Sequence, residues 1–216
     1  MPKNTFFNLP KDKINKIIEV SIDEFAEYSY NNASINRIVE AADIAKGSFY
    51  QYFEDKKDLY KYIIEEAEKK KLSYLMDVVD KQYYSNYFKS LKELYLAEMK
   101  FAMNSPKLSI IILDLEKSND NSLKREILGD TYNVNKVYEE LLLKGIDNRD
   151  ISDDIDIKLN TFLLGSLNIS ILEYYMYEVN LDFEQATKYI DNIVELFKNG
   201  IKDKKRLVRN VEDRFY

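Results

Sequence analysis

Two short helices joined by a tight turn are predicted by the sequence of residues 34–59. The apolar positions of the first helix share one face: Ile35, Ile38, Val39 and Ala42. Asp43 follows them, and aspartate tolerates the backbone of a tight turn. The second helix begins near Ala45 and directs Phe49 and Phe53 inward. Because a long third helix starts directly afterwards, we expect a compact unit of packed helices here.

The outward face of the second short helix combines a cation, a hydroxyl, a phenol and an amide with no acid: Lys46, Ser48, Tyr50 and Gln51. Such a set suits a polyanion whose base edges can be read. Lys46 and Gln51 have the reach for base edges, lysine to guanine and glutamine to adenine. We expect Tyr50 and Lys56 to contact phosphates, which set the register of a protein on DNA but not its sequence preference.

Three further residues complete the predicted DNA-binding surface. Ser34 is expected to cap the first short helix through its side chain, and the helix N-terminus that it caps is expected to hold a phosphate. Gly47 allows the backbone to approach DNA closely because it has no side chain. Arg37 is predicted on the outer face of the supporting helix, where it either holds a phosphate or is a solvated surface residue.

This stretch resembles the helix-turn-helix signature of TetR-type transcriptional repressors. The positions that carry the resemblance are Ser34, Ile38, Ala41, Ala42, Ile44, Lys46, Gly47, Ser48, Tyr50, Phe53, Lys56 and Leu59. The chain has Ser29 and Asp43 where such proteins often have glycine, and Ala45 where they often have a capping Ser or Thr. The resemblance implies a DNA-binding domain over residues 1–56 and a helical ligand-binding and dimerisation domain over residues 57–216.

Histidine and cysteine are both absent from the 216 residues, and their absence excludes several classes of active site. A Ser-His-Asp triad, a histidine-containing metal site, a thiolate ligand and a disulfide are all impossible. We therefore expect no catalytic residue, no metal and no cofactor. No apolar run approaches the roughly 20 residues of a membrane span, and the N-terminus lacks the apolar core of a secretory signal. These features predict a cytoplasmic protein without a membrane partner.

The formal net charge of −6 is distributed unevenly along the chain. Residues 1–57 are close to neutral, residues 58–197 carry the acidic excess, and residues 198–216 are basic. A nearly neutral DNA-binding region exerts little general attraction on a polyanion. Any DNA affinity must therefore come from the local placement of lysines and helix N-termini.

The whole chain is predicted to be all-α, with about nine helices. Only five Gly and three Pro are present, helical spacing of apolar residues recurs, and strand-like alternation is scarce. The seventh helix is predicted over residues 122–143, the eighth over residues 153–178, and the ninth from Asp182 onward.

The eighth and ninth predicted helices carry apolar residues on several sides, so they must be buried on several sides. A central core helix is one explanation. A two-fold interface is the other, and the resemblance favours it because one short recognition helix reads too few bases alone. The predicted interface residues are Leu163, Leu167, Ile171, Ile190, Ile193 and Phe197.

Polar residues interrupt the apolar eighth helix, and buried polar groups need partners. They belong either to an ordinary core with a dimer face or to a cavity that holds a ligand. The predicted lining of such a cavity is Tyr95, Met99, Tyr132, Phe162 and Asn168. These side chains suit a small hydrophobic inducer. In an acidic region we expect a cationic or neutral ligand first, and second an acyl or aromatic acid that Arg125 or Lys144 could reach.

Together these features predict a ligand-responsive DNA-binding regulator, with repressor as the favoured direction of control. Its expected partners are a second copy of the chain, a palindromic operator in double-stranded DNA, and a small-molecule inducer that releases the operator. The alternative is a helical ligand-binding or protein-interaction adapter whose N-terminal region no longer recognises specific DNA. The near-neutral charge of that region and the missing cap at Ala45 keep this alternative open.

Overall fold

The computed structural model describes residues 1–82, 86–128, 134–178 and 182–199, which form eleven α-helices and one π-helical turn. The helices are α1 (Asn4–Phe7), α2 (Lys11–Asn32), α3 (Ile35–Ala41), α4 (Lys46–Tyr52), α5 (Lys56–Gln82), α6 (Tyr87–Asn104), α7 (Pro106–Lys117), α8 (Asn121–Leu128), α9 (Val134–Asp147), α10 (Ile157–Glu173) and α11 (Phe183–Asn199). The π-helical turn, Tyr174–Glu178, continues directly from α10. The all-α prediction is confirmed.

The helices differ from the predicted nine in number and in some boundaries. The four-residue helix α1 was not predicted. The single helix expected over residues 122–143 corresponds to two helices, α8 and α9, and residues 129–133 between them lie outside the described residues. Helix α10 begins later than predicted because Asp156 is its N-cap, with a side chain that accepts a hydrogen bond from the N–H of Leu159 at 2.9 Å.

The N-terminal helices pack around a core that is rich in aromatic residues. Helix α2 packs on α3, α3 on α4, and α1 on α4. Phe25, Ile38 and Phe49 bring one buried side chain each from α2, α3 and α4. Phe6 of α1 lies against Phe53, with 4.9 Å between the ring centroids. The unexpected helix α1 therefore closes the core of the helix-turn-helix.

This first core continues beyond the helix-turn-helix. Buried apolar residues of α5, α6, α7 and α8 belong to it: Leu59, Ile63, Phe101, Ile111, Leu115 and Ile127. Helix α7 packs along α2 as well as against α5 and α6. The N-terminal helices are thus joined to the rest of the chain by continuous apolar packing.

A second core lies between α6, α9, α10 and α11. Its buried members include Leu91, Leu94, Tyr138, Leu141, Leu164 and Ile190. Helix α6 contributes to both cores, and it packs along α5 on one side and along α11 on another. Helix α6 is therefore shared by the two parts of the molecule.

Two helices end in a residue that has a left-handed backbone without being glycine. Asp43 follows α3 with φ 54°, and Arg149 follows α9 with φ 62°. In both places the N–H of the next residue donates to the carbonyl five residues earlier, at 3.0 Å and 2.9 Å respectively. These bonds are the Schellman ending of a helix, which usually places glycine at the left-handed position.

Ser29 is a third residue with positive φ, and it lies inside α2, with φ 56° and ψ 167°. Its hydroxyl donates a hydrogen bond to the carboxylate of Asp114 on α7. The break in α2 is thus fixed to a helix of the C-terminal part of the chain.

Among the described helices, none has both the length and the apolar character that crossing a membrane requires.

Candidate functional site

Helix α4 carries five of the predicted DNA-binding residues on one short element. Lys46, Gly47, Tyr50 and Gln51 are exposed, and Ser48 is half-buried. The inward residues of the same helix are fixed in the first core, so the exposed side chains project from a rigid element. The residue before the helix, Ala45, supplies no side-chain cap, in agreement with the sequence.

Gly47 lies on the open surface of α4. A Cβ atom added to this residue would meet no heavy atom within 4 Å. Packing within the protein therefore does not require a glycine here, and the space over Gly47 is open to a partner.

The N-terminal segment braces the other end of α4. The backbone N–H of Lys3 donates to the carbonyl of Tyr52 at 2.8 Å, and the Lys3 ammonium donates to the carbonyl of Tyr50 at 2.8 Å. The hydroxyl of Thr5 donates to the carbonyl of Gln51. Carbonyls at a helix C-terminus lack partners within the helix, and the segment supplies them. Sequence reasoning missed this role, and only the apolar pair at residues 6–7 could have indicated that the segment is anchored.

Glu24 engages two of the residues that were predicted to hold phosphates. Its carboxylate, 7% exposed, accepts the backbone N–H of Ser34 at 2.7 Å and the guanidinium of Arg37 at 2.5 Å. Ser34 is at the N-cap position of α3, but its side chain makes no capping bond, so that prediction is wrong. A carboxylate already occupies the N-terminus of α3 and pairs with the arginine. The phosphate contacts predicted at Ser34 and Arg37 have no support in this arrangement.

Lys56 is also directed into the protein. Its ammonium donates to the carbonyls of Tyr30 at 2.6 Å, Ala33 at 2.9 Å and Asn31 at 3.4 Å. Burial lowers the pKa of the Lys56 ammonium, while the charge of Glu24 opposes this change. The residue therefore clamps the end of α2 to the start of α5, and the structure does not support the predicted phosphate contact.

A cavity of about 770 Å³ lies between α5, α6, α7, α8 and α10. Its volume falls in the range of roughly 300–1,000 Å³ that is usual for small-molecule sites. Apolar side chains from four of the five helices form much of its wall: Ile64, Leu72, Ile112, Leu113, Ile127 and Ile169.

One part of the cavity wall is polar and almost completely buried. Lys71 is 6% exposed and Glu98 is 1% exposed, and their Nζ and Oε2 atoms lie 3.3 Å apart. Apart from this ion pair and an interaction with the side chain of Asn168, the Glu98 carboxylate has no well-formed hydrogen bond, and Asn168 Oδ1 and the hydroxyl of Ser109 have no hydrogen-bond partner. Burial raises the pKa of the Glu98 carboxyl, although Lys71 acts in the opposite direction.

The structure brings two of the five predicted ligand residues to this cavity. Phe162 and Asn168 line it. Tyr95 and Met99 do not, because both side chains are buried in the second core, where the Tyr95 hydroxyl donates to the carbonyl of Leu164 at 3.3 Å. Tyr132 lies outside the described residues. Sequence reasoning missed Glu98, which is buried among apolar neighbours of α6, and the closely spaced polar residues of α10 were the only useful signal.

Four of the predicted interface residues pack wholly or partly into the second core. Ile171 and Ile190 are 3% and 0% exposed and belong to the second core. Leu167 and Ile193 are half-buried and pack against the same core. For Ile171 and Ile190 the prediction is wrong, because the chain's own helices already cover them.

The remaining two predicted interface residues lie on an exposed apolar face. Leu163 on α10 is 43% exposed and Phe197 on α11 is 41% exposed. Sequence reasoning missed Leu159 and Leu196 on these helices and assigned Phe162 only to the ligand cavity; the three residues are 53%, 49% and 66% exposed. Large apolar residues gathered on two helices are typical of a surface that another molecule covers.

Comparison with known proteins gives similarities over most of the chain. The model of the tetR family of bacterial regulatory proteins matches residues 17–63. The HTH-type transcriptional regulator SAR2658 of Staphylococcus aureus is 26% identical over 185 residues, which are 85% of this chain and 92% of that protein. The fatty acid metabolism regulator protein of Bacillus subtilis is 23% identical, over 90% of this chain and 98% of its own.

Solved structures share the fold. A TetR family transcriptional regulator from Chloroflexus aurantiacus superposes with a TM-score of 0.75 at 27% identity, over 93% of this chain and 98% of that chain. The regulator FadR of Bacillus subtilis, solved in complex with stearoyl-CoA, superposes with a TM-score of 0.71 at 19% identity, over 87% of this chain and 99% of that chain.

Proposed function

The chain belongs to the TetR family of bacterial regulatory proteins, and from this premise we propose that it is a dimeric repressor that a small molecule releases from a palindromic operator. Its similar proteins are named as transcriptional regulators rather than as enzymes. The observation that carries the proposal is the rigid helix α4, which presents a lysine, a glycine, a tyrosine and a glutamine outward without an acid.

The roles within α4 follow from the chemistry of DNA. Lys46 and Gln51 are the base-reading residues, because lysine reaches guanine acceptors and glutamine pairs with adenine. Tyr50 contacts a phosphate, and Gly47 lets the backbone approach closely. Ser48, which is half-buried, is left with a lesser contact. Arg37 and Lys56 act indirectly in this proposal, by holding α3 and α5 in place.

The proposed domains are residues 1–56 for DNA binding and residues 57–216 for ligand binding and dimerisation. Helix α7 provides a route between them. Its residues Ser109 and Ile112 line the cavity, while Asp114 accepts the hydroxyl of Ser29 on α2. Lys107 on the same helix pairs with Asp23 on α2 at 2.6 Å. A ligand that moves α7 therefore also moves α2.

Release of DNA requires that the ligand prefer one arrangement of the two DNA-binding regions. A ligand shifts such an equilibrium only by the difference between its affinities for the two states. Two recognition helices must lie about one helical turn of DNA apart, roughly 34–36 Å, to occupy successive major grooves. A change in that spacing is sufficient to weaken operator binding.

The proposed dimer uses the exposed apolar face of α10 and α11, which includes Leu159, Leu163, Leu196 and Phe197. A charged side chain in this face would be buried without a partner in the dimer. Leu163→Glu is expected to give a folded monomer on sedimentation, because Leu163 is exposed within the single chain. The control Lys158→Glu changes the charge of an exposed neighbour on α10.

The test of DNA binding compares an operator, selected from random DNA, with an unrelated duplex. Lys46→Ala and Gln51→Ala are expected to lower discrimination at particular base pairs by about 1–3 kcal/mol. Tyr50→Phe is expected to weaken binding to both duplexes by a similar factor. Lys70→Ala is the control, since it lies about 20 Å along α5 from the start of that helix.

The salt dependence of binding separates this proposal from the adapter alternative. Affinity for the operator should fall steeply with added salt as counterions are released from the phosphates. A folded dimer that binds no duplex at low salt would contradict the proposal and favour an adapter. The ligand class is a separate matter, and the Bacillus subtilis FadR structure, which contains stearoyl-CoA, makes an acyl thioester one class to be tested here.

A further inference from the structure

The cavity contains buried polar atoms whose hydrogen-bonding capacity the protein does not fully satisfy. Glu98, Asn168 and Ser109 are 1%, 5% and 5% exposed. Glu98 is ion-paired with Lys71, but its carboxylate oxygens have no well-formed hydrogen bond, and Asn168 Oδ1 and Ser109 Oγ have no hydrogen-bond partner. Buried polar groups are nearly always paired, because an unpaired one keeps its desolvation cost. All three residues line the same cavity from three different helices, α6, α10 and α7. A ligand that donates hydrogen bonds would remove this cost.

The Lys71 ammonium interacts with more than one acidic side chain. Its ammonium is 3.3 Å from Glu98 Oε2, but the charges of Glu68 and Glu116 also act on it. These three acidic influences outweigh burial and raise the pKa of Lys71. The other nearby base, Lys124, donates to the backbone carbonyl of Glu116. Acids therefore outnumber bases at this end of the cavity, and an anionic ligand group placed there would be repelled.

Two further cationic side chains of the cavity lie nearer the solvent. Lys69 and Arg125 are exposed. Lys69 already pairs with Glu66 at 2.7 Å, and Arg125 donates to the carbonyl of Asn121 at 3.2 Å. These two cations are therefore already engaged and lie away from the buried end of the cavity.

We propose that the cavity binds an apolar amine, whose ammonium group donates hydrogen bonds to the Glu98 carboxylate and to the oxygen atoms of Asn168 and Ser109. The hydrocarbon part would lie along the apolar wall formed by α5, α7 and α8. This inference rests on the proposed function only in taking the cavity as the site of the regulatory ligand. It assigns Glu98, Asn168 and Ser109 as the residues that select the ligand.

Titration calorimetry on the full-length protein can compare ligands that differ only in their polar group. The probes are decylamine, decan-1-ol and decanoic acid, each below the concentration at which it forms micelles. Decylamine should bind at least about tenfold tighter than decan-1-ol, as a hydrogen bond to a charged group is stronger than a neutral one. Decanoic acid should bind weakest. Tightest binding of decanoic acid, or equal binding of all three, would overturn the proposal.

Substitution of the carboxylate tests the assignment to Glu98. Glu98→Gln should weaken the binding of decylamine by at least about tenfold and change the affinity for decan-1-ol by less than about threefold. Glu65→Gln is the matched control, because this half-buried carboxyl lines the same cavity without belonging to the unpaired group. If Glu98→Gln does not fold, the double variant Lys71→Met with Glu98→Met removes both charges at similar volume. A preference for decylamine that survives in either folded variant would refute the role of Glu98.

DNA release must be measured separately so that the two proposals can fail independently. If decylamine binds as expected but the protein binds no duplex, the regulator proposal fails and this inference stands. If decanoic acid or stearoyl-CoA binds more tightly and releases the operator while decylamine does neither, the inference is overturned and the regulator proposal stands. The expected result is that decylamine binds tightest and releases the operator from wild type, and that it does so poorly from Glu98→Gln.

Discussion

The DNA-binding region and the cavity use buried polar groups in opposite ways. In the DNA-binding region, Glu24 satisfies Arg37, and backbone carbonyls satisfy Lys56. In the cavity, the carboxylate of Glu98 is ion-paired with Lys71, while the amide oxygen of Asn168 and the hydroxyl of Ser109 are left without a hydrogen-bond partner. Buried polar groups that are paired within the protein stabilise its fold. Buried polar groups without a hydrogen-bond partner indicate where a ligand can supply the missing hydrogen bond. Lysine and arginine, which suggest DNA contacts in the sequence, can therefore have a structural role. The ligand site is recognised by its buried polar atoms without hydrogen-bond partners.

The largest expected effect comes from breaking the lysine clamp in the DNA-binding region. Lys56→Met should lower the free energy of unfolding by about 2 kcal/mol, because it removes a charged donor from the carbonyls at the end of α2. Urea unfolding measures the change. The operator and an unrelated duplex should lose affinity alike, since the position of α3 changes rather than the reading of bases.

Lys57→Met is the control for this clamp. Lys57 pairs with Glu126 at 2.6 Å, and both side chains are substantially exposed, so its loss should cost less than about 1 kcal/mol. If both variants were equally stable, the inward ammonium of Lys56 would have no structural role, and a direct phosphate contact would again be the better explanation.

Two glycines on helices, Gly47 and Gly145, provide a second contrast. A Cβ at Gly145 on α9 would lie 2.8 Å from Tyr87 Cδ2, whereas a Cβ at Gly47 would meet nothing within 4 Å. Gly145→Ala should therefore cost about 1–2 kcal/mol through overpacking, the lower part of the usual range. Gly47→Ala should stabilise the fold by up to about 1 kcal/mol, because alanine is the better helix former, and yet weaken binding to DNA. Thermal unfolding and DNA titration of both variants check these signs. Unchanged DNA affinity in Gly47→Ala would show that the backbone does not approach DNA closely at that residue.

The dependence of stability on pH tests the buried carboxyl of the cavity. Burial raises the pKa of Glu98 above its ordinary value of 4.5. The folded state then keeps a proton that the unfolded state has lost, so this contribution to stability is fully present below pH 4.5 and is lost as the pH rises through the folded pKa. Glu98→Gln removes this dependence, so the stability of the variant should improve relative to wild type as the pH rises.

Urea unfolding at several pH values between about 4 and 8 provides the measurement for Glu98. Glu139→Gln, which replaces an exposed carboxyl on α9, controls for the substitution itself. Parallel curves for wild type and Glu98→Gln would mean that the carboxyl is not held in an unfavourable environment.

The smallest expected effects come from the two left-handed helix endings, one in each region. Asp43→Gly and Arg149→Gly should each stabilise the chain by about 0.5–1 kcal/mol, because glycine adopts a positive φ without steric cost. Thermal unfolding of the single variants measures the gains. A loss of stability at Asp43 alone would show that its side chain, rather than its backbone, holds the turn between α3 and α4.

The sequence predicted those parts of the fold that depend on local pattern. The all-α class, the starts of α3 and α4 and the turn at Asp43 follow from helical periodicity and turn preference. Helix α1 was missed because four residues carry no periodic signal, and its anchor is the packing of Phe6 against a ring that is distant in the sequence. The exposed face of α4 was predicted correctly because its inward partners, such as Phe49, set the helix rotation.

The candidate site was harder to predict wherever a contact joins distant helices. The sequence alone suggests that Lys56 and Arg37 are surface cations. Their partners are backbone carbonyls and a carboxylate of another helix, which the sequence does not place beside them. Ile190 looked available for an interface because periodicity alone does not tell which helix covers it. Glu98 was missed for the same reason, as its pairing with Lys71 appears only once α5 lies beside α6.

Selection of bound sequences from a random pool of DNA duplexes tests the central claim most directly. The wild-type protein and the double variant Lys46→Ala with Gln51→Ala are compared after both have been shown to unfold at the same urea concentration. Wild type should enrich a sequence with two-fold symmetry, with half-sites about one helical turn apart, and the double variant should enrich none. If folded wild-type dimer enriches no sequence, or if the double variant enriches the same one, α4 is not the element that reads DNA.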